Sequence, residues 1–163
     1  MSEQKIIKPK IEDSISEYLT GGKKKNALEF IGYLRENKMS PHWNSTNSWK
    51  SSYKQKLICF TRVYPDNSWM IRPALYNTSN PCDPDDFDKF ILNEGLEEFI
   101  WENIKTCQNC LPCSPGISIT IAGKEFHNRC GYHSVQINNP DVSAINITKR
   151  ILEYKKNAII KGE

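Results

Sequence analysis

Cys107, Cys110 and Cys113 recur at every third position, and sixteen residues separate Cys113 from Cys130. Four of the six cysteines therefore fall within 24 residues. His133 follows Cys130 by three residues, and His127 precedes it by three. Thiolates are soft ligands that suit Zn²⁺ and iron–sulfur clusters. A tetrahedral Zn²⁺ takes four ligands at about 2.0–2.3 Å, so short-spaced ligands drawn from separate segments are a natural source. The expected metal ligands are Cys107, Cys110, Cys113 and Cys130, with His133 as the alternate. The expected cofactor is a structural zinc ion.

Two other chemistries use the same residues. Three cysteines at this spacing, followed by Ser114-Pro115, resemble a bacterial ferredoxin run whose fourth cysteine is displaced, which implies an iron–sulfur cluster. A thiol in such a pair can also have a lowered pKa, which would make the chain a redox or thiol-dependent enzyme. Against all three stands plain packing, since free cysteine is among the most buried residue types. Cys59, in the middle of a strand-like run, is read as core, and Cys82 is left unassigned.

Residues 42–76 hold a second concentration: His42, Trp43, Trp49, Tyr53, Phe60, Tyr64, Trp69 and Tyr76, with Arg62 and Arg72 interleaved. Large aromatics with a few polar groups can line a ligand cleft. Trp43, Trp49, Tyr53, Trp69 and Arg72 are the candidate ligand-binding residues for a small molecule. The competing reading makes them a sheet core, or cross-strand pairs that hold a meander together. The chain has no nucleophile elbow, no paired-histidine zinc motif and no Gly-rich phosphate loop. No catalytic residue is assigned, and a non-enzymatic, regulatory or binding role is expected, with a metal-free interaction module as a further alternative.

These residues must be placed by elements that the pattern also predicts. Ile11, Ile15, Tyr18 and Leu19 have helical spacing, and so do Ala27, Leu28, Ile31 and Leu34, with Asn37 able to end the second helix. Residues 49–53, 56–64 and 69–72 read as strands of an antiparallel meander, with Pro65-Asp66-Asn67 as a turn. Leu96, Phe99, Ile100 and Ile104 form a helical stripe. Ile117 to Ala122 alternates like a half-buried strand and Gly123 turns it. Residues 124–126 and 132–137 are candidate strands. Asn138-Asn139-Pro140-Asp141 starts a last helix that runs to about residue 158. Helices and strands are segregated, so the expected class is α+β. The expected architecture is an antiparallel sheet of five or six strands with three to four helices. Residues 1–22 are read as a polar extension with a short helix, and 23–163 as one domain.

The chain has 163 residues, 25% of them charged, and a mean hydropathy of −0.61. No apolar run approaches the ~18 residues of a membrane span, so no membrane partner is expected. The opening MSEQKIIKPK lacks the apolar stretch of a secretory signal, which predicts a cytoplasmic location where disulfides are rare. The net charge is only +3, and nucleic-acid-binding domains usually have pI above about 9 with clustered basic residues. Nucleic acid is therefore disfavoured as a partner. Nothing in the pattern bears on oligomeric state.

Trp43, Asn47-Ser48-Trp49-Lys50 and the hairpin that ends Trp69, Ile71-Arg72-Pro73 form one half of a larger layout. Cys107, Cys110, Pro115-Gly116, Ile121, Gly123-Lys124-Glu125-Phe126, Cys130, Asn139-Pro140 and the closing helix form the other. Over residues 26–158 this layout resembles a family of small cytoplasmic bacterial proteins to which no activity is assigned. In outline it is also similar to the YdhG-like and gyrase-inhibitor-like domains. The second resemblance implies helices over an antiparallel sheet, and a small molecule bound in a cleft beside that sheet.

Overall fold

A computed structural model describes residues 3–75, 84–108, 116–130 and 135–162. Three helices come first: α1 (Glu3–Ile7), α2 (Ile11–Tyr18) and α3 (Gly21–Glu36). A meander follows: β1 (Pro41–Ser45), β2 (Ser48–Tyr53), β3 (Lys56–Tyr64) and β4 (Ser68–Pro73). Then come α4 (Pro84–Asn93), α5 (Glu97–Glu102), β5 (Ile117–Ile121), β6 (Lys124–Arg129), β7 (Ile137–Asn138) and α6 (Val142–Lys161). The main sheet has the order β1-β2-β3-β4-β7 and is antiparallel throughout, while β5 and β6 pair separately. This is the α+β class with a five-stranded antiparallel sheet that the segregated pattern predicts. The described helices number six rather than three to four; α1, five residues long with none of them buried, has no apolar stripe to declare it. Among the described residues, no helix is long and apolar enough to cross a membrane.

Strand β3 organises the sheet. Its β-branched and aromatic residues favour extended backbone, and it pairs with β2 on one side and β4 on the other. Thr61 and Val63 are buried, while Phe60, Arg62 and Tyr64 are half-buried. Successive side chains on a strand point to opposite faces, so the two sets mark two faces. Trp49, Thr61, Ile71 and Ile137 lie side by side across β2, β3, β4 and β7 on the buried face. Next to them Ser51 pairs with Cys59. The register shifts between Ser51 and Ser52, which puts one extra residue into β3. A bulge of this kind breaks strict alternation, and both Ile58 and Cys59 are fully buried. β1 lies at the sheet edge and begins at Pro41. A proline is tolerated there because its missing N–H removes no essential ladder bond. The sequence pattern suggests only a turn at that point.

Helices α2, α3 and α6 pack on the buried face. Phe30 of α3 meets the Trp69 ring at 6.1 Å and that of Tyr33 at 6.3 Å. Ile11, Ile15 and Leu19 are at most 1% exposed in the same cluster, so α2 is part of this core. A forked pair ties α2 to α3: Arg35 Nε and Nη2 each donate to a Glu12 carboxylate oxygen at 2.7 Å. Asn37 ends α3, its Nδ2 donating to the Tyr33 carbonyl. Asp141 caps α6 by accepting from the Ala144 N–H at 2.8 Å. Lys155 of α6 is fully buried and its Nζ donates to the Ala74 carbonyl.

A second apolar cluster lies beyond β4. Leu75, Phe87, Ile91, Leu96, Ile100, Ile121, Val135, Ile137 and Ile151 build it from α4, α5, the β5–β6 hairpin, β7 and α6. Its hairpin turns at Ala122-Gly123, both at positive φ, a conformation that glycine adopts at little cost.

Two expectations follow. Phe30→Ala should lower unfolding stability by about 3–5 kcal/mol, read from the urea midpoint at unchanged slope. The Arg35 guanidinium holds the Glu12 carboxyl below its ordinary pKa. That stabilisation is present above the unfolded-state value of about 4.3 and disappears as pH falls through the lower folded-state value. Glu12→Gln should therefore cost under about 1 kcal/mol near neutrality, as exposed pairs do, and should lessen the loss of melting temperature on acidification below about pH 4.

Candidate functional site

After α5 the chain runs alongside the end of β6. Thr106 pairs with Arg129 and Ile104 with Val135, both antiparallel. The Cys107 N–H donates to the Asn128 carbonyl and the Cys130 N–H to the Lys105 carbonyl, each at 2.8 Å. Cys107 stands opposite Asn128, and Cys130 lies two residues further along the same strand. The two cysteines are thus diagonal neighbours on one face of the pairing, a relation that spans about 7–8 Å. Both are buried, at 7% and 5% exposure. Twenty-two residues separate them in sequence.

Gly116 closes on the same place. A Cβ built there would sit 2.7 Å from Cys107 Cβ, from the Asn128 carbonyl carbon and from Asn128 Oδ1. Both ends of the stretch from Gln108 to Gly116 are therefore held beside Cys107. Arg129 is fully buried, with Nη1 donating to the Cys130 carbonyl at 3.1 Å. Cys110, Cys113 and His133, expected as ligands, lie outside the described residues, as does Cys82. Among the described residues no group of three or more His, Cys, Asp or Glu side chains could hold a metal ion. His127 is exposed on β6, where its Nδ1 is 3.0 Å from Ser118 Oγ.

The paired segment also forms the wall of a polar cavity of about 460 Å³. Glu102, Asn103, Lys105, Thr106, Gln136 and Asn138 line it. The Gln136 N–H donates to the Asn103 carbonyl at 2.9 Å, which ties the two walls together. Behind the cavity an amide relay reaches the sheet: Gln136 Nε2 donates to Asn138 Oδ1, and Arg72 Nε donates to Gln136 Oε1. Burial holds the Arg72 guanidinium below its ordinary pKa, and the neighbouring Arg62 charge adds to the effect.

The aromatic candidates divide between the faces of the sheet. Trp49 and Trp69 are each 1% exposed and Tyr53 8%, all in the core cluster under the helices. Trp49 Nε1 donates to the Pro9 carbonyl at 2.9 Å. Trp43 packs against the cluster from β1, its Nε1 3.5 Å from Gln4 Oε1. Arg72 lies on the opposite face, so the structure does not gather these five residues around one opening. Cys59 also belongs to the core, where burial pushes its thiol up to about 12, although the Lys155 charge pulls the other way. Such a thiol stays protonated and unreactive at neutral pH.

Sequence reading missed Arg129, Gln136 and Asn138. A lone Gln or Asn near a turn carries no signal of its own, and Arg129 is paired on both sides, with Ile117 and with Thr106, a placement set by segments distant in sequence. No known protein family matches the chain, and comparisons with curated proteins and with solved structures return no match.

Gly116→Ala should destabilise the fold by about 1–3 kcal/mol, as overpacking does. Two of the three close atoms, Cys107 Cβ and the Asn128 carbonyl carbon, cannot swing aside as a side-chain tip would. Urea denaturation of the variant checks this.

Proposed function

We propose that the chain is a small-molecule-binding domain whose cleft wall is held by a structural Zn²⁺. One observation carries the reading: residues 105–107 pair with residues 128–130 and Ile104 with Val135, and this pairing both sets Cys107 beside Cys130 and builds the wall of the polar cavity. Cys110 is three residues from Cys107, and Cys113 is three from Gly116. Three residues of extended chain span at most about 10–11 Å. Zinc ligation needs both sulfurs to come back onto the buried pair, and tethers this short allow it.

The donor set also fits the ion. Four thiolates around Zn²⁺ carry a net charge of −2, and burial of that charge needs compensation. Arg129, a fully buried cation whose guanidinium contacts the Cys130 carbonyl, supplies it next to the site. Zinc so held would contribute folding free energy directly. Cys107, Cys110, Cys113 and Cys130 would hold it, with His133 as the alternate donor. The chain's own residues do the rest. Asn103, Gln136 and Asn138 offer amide donors and acceptors to a polar ligand, and the Asn103–Gln136 bond sets their separation. The similarity to gyrase-inhibitor-like domains implies the same class of role.

Protein purified without chelator should carry one zinc per chain by native mass and elemental analysis. Chelation, Cys107→Ser or Cys130→Ser should remove it and lower the melting temperature by roughly ten degrees or more, since about 1 kcal/mol is worth ~2–4 °C in a chain of this size. Bare chain mass with unchanged melting would refute the zinc centre. Iron, with visible absorption, would replace it by a cluster.

A further inference from the structure

Strands β1 to β4 contain no Asp or Glu, yet they hold Lys50, Lys56, Arg62 and Arg72. Four cations there exceed the net charge of the whole chain, +3. Register places three of them together, with Lys56 apart at the β2–β3 turn. Lys50, Phe60 and Arg72 form one cross-strand row, and Ser48, Arg62, Met70 and Asn138 form the next. Arg62 and Arg72 are therefore diagonal neighbours on the face opposite α2, α3 and α6.

Both guanidiniums are held in place. The Arg62 guanidinium carbon lies 5.5 Å from the centre of the Tyr64 ring, an arrangement that the ring quadrupole favours. Arg72 is only 8% exposed, and the Asn138–Gln136 relay engages its Nε. Its Nη atoms have no hydrogen-bond partner among the described residues. Arg62 Nε is buried and has no hydrogen-bond partner among the described residues. No described carboxylate pairs with either arginine. Two like charges, partly desolvated and fixed side by side, repel one another. An anion between them relieves both the repulsion and the unmet donors. Guanidinium forks match the planar edge of a carboxylate or phosphate with two parallel hydrogen bonds.

We propose that Arg62 and Arg72 form an oxyanion-binding site on the face of the sheet opposite α2, α3 and α6, which takes the phosphate or carboxylate head of a small ligand. Arg72 lies close enough to Cys130 for their charges to interact, yet the donors of this site are guanidinium groups and do not depend on a metal. The geometry favours a compact head group over a polymer, because Arg72 is nearly enclosed while a nucleic-acid strand needs an open platform.

The test uses the full chain, with inorganic phosphate and acetate titrated separately at fixed ionic strength against chloride. Binding is read by amide NMR shifts and by thermal melting. Saturable shifts centred on Phe60–Arg62 and Met70–Arg72 are expected. The tighter of the two anions identifies the head group. Arg62→Gln, and Arg72→Lys, which keeps the charge and loses the fork, should each weaken binding by about ten-fold or more. Should Arg72→Lys fail to fold, the exposed-side variant Arg62→Gln still decides the matter. A response no greater than that to chloride, shifts scattered over surface lysines, or an Arg62→Gln titration like that of the parent chain overturns the proposal. So does a single-stranded oligonucleotide that binds where neither small anion does.

Discussion

The two-residue period of β3 is the constraint on which the rest of the molecule depends. A central strand paired on both sides cannot turn its side chains without breaking two ladders. Thr61 and Val63 therefore commit Trp49, Trp69 and Ile71 to the helical side, and Phe60, Arg62 and Tyr64 to the other. One extra residue in β3 lets Ile58 join the core beside Cys59, which shares the phase of Thr61 and Val63. The helices follow from this division. The apolar stripes of α2, α3 and α6 have one large apolar surface to cover, and Phe30 against Trp69 marks its centre.

The second cluster solves a different problem. The β5–β6 hairpin has mostly exposed strands, and two strands alone are marginal in water. It is anchored instead through Ile121 and Ala122 in the cluster with α4, α5 and α6, and through the pairing of β6 with residues 106–107. Trp101 adds a clasp, its Nε1 donating to the Ile121 carbonyl at 2.9 Å. The cysteines stand at the far end of this hairpin from its turn.

Charge tells a similar story about averages and places. A net charge of +3 describes a nearly balanced chain. The balance comes from acids elsewhere in the chain, since β1 to β4 contain none. Long-range attraction scales with the whole charge, but recognition of one head group depends on the few donors that face it. The amide relay from Asn138 through Gln136 to Arg72 connects this face to the polar cavity, so the two surfaces share a wall side chain.

The amino-acid sequence by itself determined the α+β class, the β2–β4 meander, the amphipathic helices, the turn at Gly123 and the end of α3 at Asn37. Each is local: periodicity, branched side chains or a turn residue declares it within about ten positions. The sequence also marked Cys107 and Cys130, and Arg72 among the aromatics. Only the tertiary structure decided that Cys107 and Cys130 are neighbours, that Trp49 and Trp69 lie in the core while Arg72 faces the other way, and that Arg129 is buried. Those outcomes depend on strand register and on contacts between segments distant in the chain. A residue's type constrains what it can do, but the face on which it lies is set by the partners its strand acquires.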